Sequence, residues 1–524
     1  MVDILISGGT VVNGPGQSRK ADLAIAGEQI VLLGDLKVQA RTVIEVSGKV
    51  VAPGFIDTHS HADFILTHRR PFLGKVTQGV TTEVIGNCGI SAAPYEPKTL
   101  PYIREHGPLI GQKGRVQHWF TWEKYFEVLK ESPLVTNIVP LVGHGNLKKL
   151  AGSVRTLDSQ ERLKLMKQLL RKSLEQGVHG FSTGLIYDPG IFSPTEEILA
   201  LARVLNECGG VYASHIRGEG ETLLQALEEA ISIGRQAGVP VQISHLKAAG
   251  PANWHQTEAA LKLIEKARTS GLEVSYDQYP YTAASTSLTA LLPPRAKEGG
   301  WSTIRQLLRD SERRKKVKEE MQQGLPGWEN YSQSVGWEKI IISQVRTKKN
   351  RWLEGLTVTE ICRRLKKEPV DFVLELLEEE KGAVSIIYFS MSETSVETLL
   401  RETIGFIGTD GLPSRRPHPR LWGSFTRFLG HYVREKKLMS LEQAIEKMSR
   451  LPAAKFGLKD RGELAPGRVA DIVVFDPERV KDAATFQEPA KPSEGIDLVL
   501  VNGKIVLRGK HFTGATPGKL ILRR

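Results

Sequence analysis

The chain has only three cysteines, Cys88, Cys208 and Cys362, in 524 residues. They are scattered rather than closely spaced, which argues against a disulfide framework and points to a reducing, cytoplasmic setting. No run of about 18 apolar residues occurs, so no membrane span is expected. The opening stretch, "MVDILISGGTVVNG", has no basic region followed by a long apolar run, so no signal peptide is expected. No G-x-G-x-x-G opens a helix after a strand, which weakens a dinucleotide fold. Zinc-finger spacing and RNA-binding signatures are also missing. The net charge of +12 could suit anionic partners. Yet the densest basic stretch, "RQLLRDSERRKKVKEE" (305–320), is interleaved with acids and reads as a solvated helix face. Neither nucleic acid nor membrane is expected as a partner.

What is present fits a soluble globular chain, with 40% hydrophobic and 25% charged residues. Residues 1–52 alternate short β-rich runs with Gly and Asn turns, as in "DILISGGTVVNG" and "RTVIEVSGKVVAPG". The tail, 463–524, does the same in "VADIVVFDP" and "GIDLVLVNGKIVLRGK". That texture predicts a small β-sandwich built from both termini.

Between them the rhythm changes. "LDSQERLKLMKQLLRKSLEQG" carries Asp158 as N-cap, Glu161 three later, and Leu163, Met166, Leu170 and Leu174 on one face, with Gly177 as stop. "SPTEEILALARVLNECGG" repeats the formula, with Ser193 as expected N-cap, Pro194 at the first helical position and Glu196 at the third. Helix-stopping glycines recur at Gly177, Gly209, Gly238 and Gly271, each followed by a strand-like run. That period of about 30 residues is one strand-plus-helix unit, and units in series imply a parallel sheet. The predicted fold is α/β: a (β/α)8 TIM-like barrel over 53–282 and 381–462, interrupted at 283–380 by a charged, irregular and helical insertion near the barrel mouth. Insertions at that face tend to carry function.

In such a barrel the C-terminal strand ends carry the chemistry. The first strand ends in His59 and His61, the second in Cys88, the fifth in His215, the sixth in His245 and a late one in Asp410. A lone strand-end histidine is ordinarily a hydrogen-bonding residue, and Cys88 alone could be a small core residue. Six metal-ligand types in register are harder to explain that way, and imidazole with thiolate suits zinc. Zinc acidifies a bound water and polarises a carbonyl. Asp410 is placed to take the water proton and pass it to a leaving nitrogen, so hydrolysis of an amide-like bond is expected.

The stretches "PGFIDTHSHAD", "GNCG", "SHIRGEG", "ISHLK", "GTDGLPS" and "HPRLWGSF", with the tail "SLEQAIEKMSRLPAAKFGLKDRGELAPGRVADIVVFDP", resemble the amidohydrolase superfamily in its N-acyl-D-amino-acid deacylase branch. The resemblance covers nearly the whole chain. Many members bridge their metals with a carboxylated lysine; this branch uses a cysteine. The resemblance implies a tight zinc site of Cys88, His215 and His245, and a second, weaker or variably occupied one framed by His59, His61 and Asp410. It implies Asp410 as general base and acid in hydrolysis of an N-acyl-D-amino acid to a carboxylate and a D-amino acid.

Substrate contacts follow from the same resemblance. Arg420 matches the position expected to hold the substrate α-carboxylate, a natural partner for a forked guanidinium. Lys247 and a tyrosine of "YDQYPY" are similar to its companions; Tyr279 and Tyr281 are not separable there, and Tyr281 is favoured. Tyr187 is placed to donate to a developing oxyanion. For all four, a surface or packing role stands as the alternative. His144 supports the site from behind or is a loop residue. Arg295 meets an acidic substrate side chain or is one more exposed arginine. His68, His106, His118, His179, His255, His418, His431 and His511 receive no role. The alternatives for the whole chain are a cyclic-amide hydrolase of the hydantoinase or dihydroorotase kind, against which Cys88 speaks, and a non-catalytic scaffold, which would usually have lost ligands. Number of metals, preferred side chain and acyl group, and oligomeric state stay open.

Overall fold

The computed structural model describes residues 1–102 and 119–523; His106 and His118 lie outside them. The central strands, numbered in chain order, are β1 (Phe55–Asp57), β2 (Val80–Ile85), β3 (Asn137–Pro140, continued by Val142–Gly143), β4 (Gly180–Gly184), β5 (Val211–His215), β6 (Val241–Ile243), β7 (Val274–Gln278) and β8 (Gly405–Ile407). All are parallel, and each pairs with its neighbours in sequence order. Every residue in them is buried. Both faces of the sheet are therefore covered, as in other wholly parallel sheets. Just beyond β1 and β8, a parallel bridge joins Ser60 to Gly411, and Asp410 N donates to His59 O at 2.8 Å.

The predicted helix stops hold. The helix Ser159–Glu175 has the Asp158/Glu161 capping box, buries Met166, Leu170 and Leu174, and is followed by Gly177 at φ +93°. Gly209, Gly238 and Gly271 likewise take positive φ, a conformation that costs glycine little. One cap differs. The next helix is Thr195–Cys208 with Pro194 as N-cap, not Ser193. The Ser193 hydroxyl is already taken by Lys148 Nζ at 2.8 Å.

Strands from the two ends of the chain interleave. In a seven-stranded sheet, Ile472–Phe475 runs antiparallel to Val50–Pro53. A four-stranded sheet of residues 2–45 packs with it around Ile6, Leu23, Ile25, Val51, Ile472 and Leu500. Residues 283–380 carry the expected helical and irregular stretches and also two strands of a sheet. Ala283–Ser287 and Ile340–Gln344 flank Ser385–Phe389 in an antiparallel sheet, with helices such as Trp301–Arg309, Ser311–Gln323 and Pro369–Glu380 beside it. Its middle strand lies past the expected end at 380. Among the described residues no helix is long and apolar enough to cross a membrane.

Candidate metal centre

The six predicted ligands come together where β1, β2, β5, β6 and β8 end. Cys88 Sγ lies 3.3 Å from His59 Nε2 and 3.5 Å from His245 Nε2. Asp410 Oδ1 is 3.1 Å from His61 Nε2 and 3.6 Å from His59 Nε2. Three overlapping sets, His59/His61/Cys88, Cys88/His215/His245 and His59/His245/Asp410, each bring their donor atoms within 4.8 Å of one another.

Local backbone makes this convergence possible. Cys88, His245 and Asp410 all have positive φ (+54°, +36° and +44°). A non-glycine residue there is strained, and such strain persists only where the surroundings enforce it. Around Cys88 they do: a Cβ on Gly86 would sit 2.0 Å from Leu141 O, and one on Gly89 2.7 Å from Gly184 N. "GNCG" therefore needs both glycines to press the turn against β3 and β4.

Buried carboxylates orient the imidazoles. Asp277 Oδ1 takes His59 Nδ1 at 2.9 Å and His245 N at 2.7 Å. Glu219 Oε1 lies 3.0 Å from His245 Nδ1 and 2.5 Å from Lys247 Nζ. Lys247 Nζ also lies 2.9 Å from that Nδ1, but if Nε2 is to offer a lone pair, Nδ1 must carry the proton and donate to Glu219. Below the site, buried Lys75 bonds Asp57 and Thr409 Oγ1, while Thr409 N donates to Asp57 Oδ1 at 2.8 Å. That clamp ties the segment bearing Asp410 to β1.

Electrostatics favour a cation. Burial pushes the Cys88 thiol up, but His59 and His245 outweigh it and hold it well below its ordinary value. Burial likewise raises Asp410, and Arg420 with His59 holds it well below the usual carboxylate range. Both nitrogens of buried His215 lack a hydrogen-bond partner among the described residues. An orphaned imidazole beside a thiolate is costly unless something binds it, and this donor set fits zinc.

A family model described as the amidohydrolase family matches residues 42–306 and 346–507. The chain belongs to the amidohydrolase family. Within it the chain falls in the N-acyl-D-amino-acid deacylase branch. It is 39% identical to D-aminoacylase of Alcaligenes xylosoxydans xylosoxydans, over 99% of this chain and 98% of that one. It is 37% identical to N-acyl-D-glutamate deacylase of the same organism, over 100% of this chain and 97% of that one. The crystal structure of N-acyl-D-glutamate deacylase from Bordetella bronchiseptica, complexed with zinc and a phosphonate inhibitor, matches with a TM-score of 0.84 at 35% identity, covering 99% of each chain.

In this amidohydrolase five of the six ligands, His61, Cys88, His215, His245 and Asp410, line a cavity of about 650 Å³ with Lys247, Tyr187 and Tyr279, while His59 is buried behind them. Tyr187 stands edge-on to His215, ring centroids 5.0 Å apart, with its hydroxyl 3.3 Å from Thr286 Oγ1. Between the two tyrosines the structure reverses the sequence preference. Tyr279 lines the cavity beneath Arg420, its hydroxyl unbonded among the described residues. Tyr281 instead donates to Asp482 Oδ2 at 3.4 Å and packs under Arg427. Arg420 is also placed differently: it is fully buried, outside the cavity wall, with Nη1 2.8 Å from Asp410 Oδ2. Arg295 is engaged by Glu320 and does not line the cavity. His144 opens a helix, His144–Ser153, and is held by Glu197 Oε1 at 2.9 Å, away from the ligands.

Sequence reasoning gave no role to Glu219 and Asp277. Both stand inside stretches already singled out, "SHIRGEG" and "YDQYPY", and the spacing His215/Glu219 was the available signal. His179, also without a role, spans Phe456 O and Ile521 O at 3.0 Å each and fastens the chain's tail.

Proposed function

We propose that this amidohydrolase cleaves the amide bond of N-acyl-D-amino acids to a carboxylate and a free D-amino acid, with zinc as its metal. The observation that carries this reading is Cys88 standing with His215 and His245 on the wall of the cavity. It supports a tight site on those three residues and a second on His59, His61 and Asp410. The framework proposed is a (β/α)8 barrel, β1 to β8, with a β-sandwich from residues 1–52 and 463–524. Its insertion runs from residue 283 past 380, to the end of Ser385–Phe389. A reducing cytoplasm suits a free thiolate on a cavity wall.

Bound there, zinc supplies Lewis acidity and an acidified water. The chain's own groups do the rest. Asp410 Oδ1, the oxygen not committed to Arg420, receives the proton of the attacking water and returns it to the leaving nitrogen. Tyr187 donates a hydrogen bond from its hydroxyl to the amide oxygen as charge develops there. Lys247, which has donors beyond the one given to Glu219, and the Tyr279 hydroxyl receive the α-carboxylate. Arg420 acts through Asp410 rather than on substrate.

The test is turnover of N-acetyl-D-amino acids, their L forms and hydantoins by protein analysed for zinc. Release of D-amino acids, lost on chelation and restored by zinc, is expected. Turnover of hydantoins alone would establish the cyclic-amide alternative, and a zinc-free protein inert after zinc addition would establish the scaffold.

A further inference from the structure

We propose, building on the deacylase reading, that the preferred substrate carries a second carboxylate besides its α-carboxylate, and that the ammonium of Lys297 receives it. Lys297 closes the short helix Pro294–Lys297, is 9% exposed, and lines the same cavity as Cys88, His215 and His245. Its ammonium makes no ion pair or hydrogen bond with any described residue. The other buried lysines are all engaged: Lys75 by Asp57, Lys247 by Glu219, Lys447 by the carbonyls of Leu400 and Glu402, Lys455 by Val241 O and Glu273. The acid nearest in charge to Lys297 is Asp188, and Lys149 already holds it.

A buried ammonium without a partner is costly, and a fold that keeps one at a cavity wall keeps it for a ligand. Burial lowers Lys297 to about 8, so it stays mostly charged at neutral pH. The remaining wall agrees in sign. Among the described residues, exposed Lys381 has no ion pair and the Arg346 guanidinium bonds only Glu380 O. Of the cavity acids, Asp188, Glu219 and Asp410 are each paired with a cation of the chain, and Asp63, raised to about 6 by burial, is the one acid of that wall without an ion pair among the described residues, against the three cations Lys297, Lys381 and Arg346. Such a surplus draws in and retains an anion. The second carboxylate has two possible sources, an acidic D side chain or a dicarboxylic acyl group. Whole-chain identity does not choose between neutral and acidic substrates, since a D-aminoacylase and an N-acyl-D-glutamate deacylase match almost equally well.

The experiment measures kcat/KM of zinc-loaded wild type, Lys297→Met and Lys297→Arg on N-acetyl-D-glutamate, N-acetyl-D-aspartate, N-succinyl-D-leucine and N-acetyl-D-leucine. Wild type should favour a dianionic substrate over N-acetyl-D-leucine by about tenfold or more. Lys297→Met should cost that substrate about 100-fold, mostly in KM, the worth of a charged hydrogen bond, and leave N-acetyl-D-leucine within about twofold. Lys297→Arg should recover part of the loss. Preference for glutamate or aspartate assigns the carboxylate to the side chain; preference for the succinyl compound assigns it to the acyl group. Wild-type preference for N-acetyl-D-leucine, which needs no variant to observe, or an equal loss on all substrates in Lys297→Met, overturns the proposal. Absence of any turnover would sink the deacylase reading instead. Calorimetric titration with N-acetyl-D-glutamate and N-succinyl-D-leucine then reads Lys297 alone: about tenfold weaker binding of either in Lys297→Met supports the contact, and equal binding of both overturns it.

Discussion

Arg420 Nη1 lies 2.8 Å from Asp410 Oδ2, in a guanidinium with no exposed surface. The pair divides the labour of one carboxylate. Oδ2 is held by the fixed cation, and Oδ1 is left facing His59 and His61. The same cation is the largest influence lowering the pKa of Asp410, against burial, which raises it.

A pH profile should expose that pairing. The proton acceptor must be ionised, so activity is present above the pKa of Asp410 and lost as pH falls through it. Because that pKa is depressed, the acid limb of kcat in wild type lies far below neutrality. In Arg420→Met burial is no longer opposed by the guanidinium, and the limb moves upward in pH with a lower plateau. An unmoved limb would mean that Arg420 does not control Asp410. A selective rise in KM would return it to the substrate carboxylate.

Asp410→Asn separates proton transfer from metal binding. Asparagine retains an oxygen toward the metal but accepts no proton. Zinc in the tight Cys88/His215/His245 set should remain stoichiometric by metal analysis, while kcat falls by about 10²–10⁴, the usual contribution of a positioned acid–base group. Parallel loss of zinc and turnover would make Asp410 chiefly a ligand.

Cys88, like His59 and His245, belongs to two of the three ligand sets, and it supplies their one thiolate. In Cys88→Ala the imidazoles of His59, His215 and His245 surround an empty position, and tight zinc should disappear in an equilibrium dialysis that wild type passes. Unchanged zinc content would show that the metal rests on the histidines and Asp410 instead.

How much of this could be read in advance follows from where each partner sits in the chain. The ligands were legible because each ends a short strand-like run, and six metal-ligand residue types at that same end stand out. Asp277 was not, because its partners His59 and His245 lie on other strands; Glu219 stands four residues after His215, but the imidazole it orients is that of His245, on another strand. Tyr279 and Tyr281 are two apart, so alternation puts both on one side and cannot separate them; contacts with Arg420 and Asp482 do. The Ser193 cap failed because Lys148, 45 residues earlier, claims its hydroxyl. The insertion's sheet pairs segments about 50–100 residues apart, beyond the reach of any local pattern.

Glu329, from that insertion, accepts the backbone N–H groups of Glu219 and Gly220, beside the carboxylate that orients His245. Burial raises its pKa from 4.5 to about 7. Between those values the folded protein holds a proton that the unfolded chain has released, so this group makes stability fall as pH rises from about 4.5 to 7 and level off above. Glu329→Gln keeps an oxygen for both N–H groups and removes the titration. Urea unfolding of the two proteins across pH 5–8 should therefore show the variant gaining on wild type up to about pH 7 and keeping a constant margin beyond it. A margin independent of pH would mean that Glu329 ionises in the folded protein as it does in the unfolded chain. Glu329→Leu removes the acceptor as well. If the insertion fixes the Glu219 segment through this contact, that variant, unlike Glu329→Gln, should bind zinc about 10–100-fold more weakly, as expected when support behind a ligand is lost.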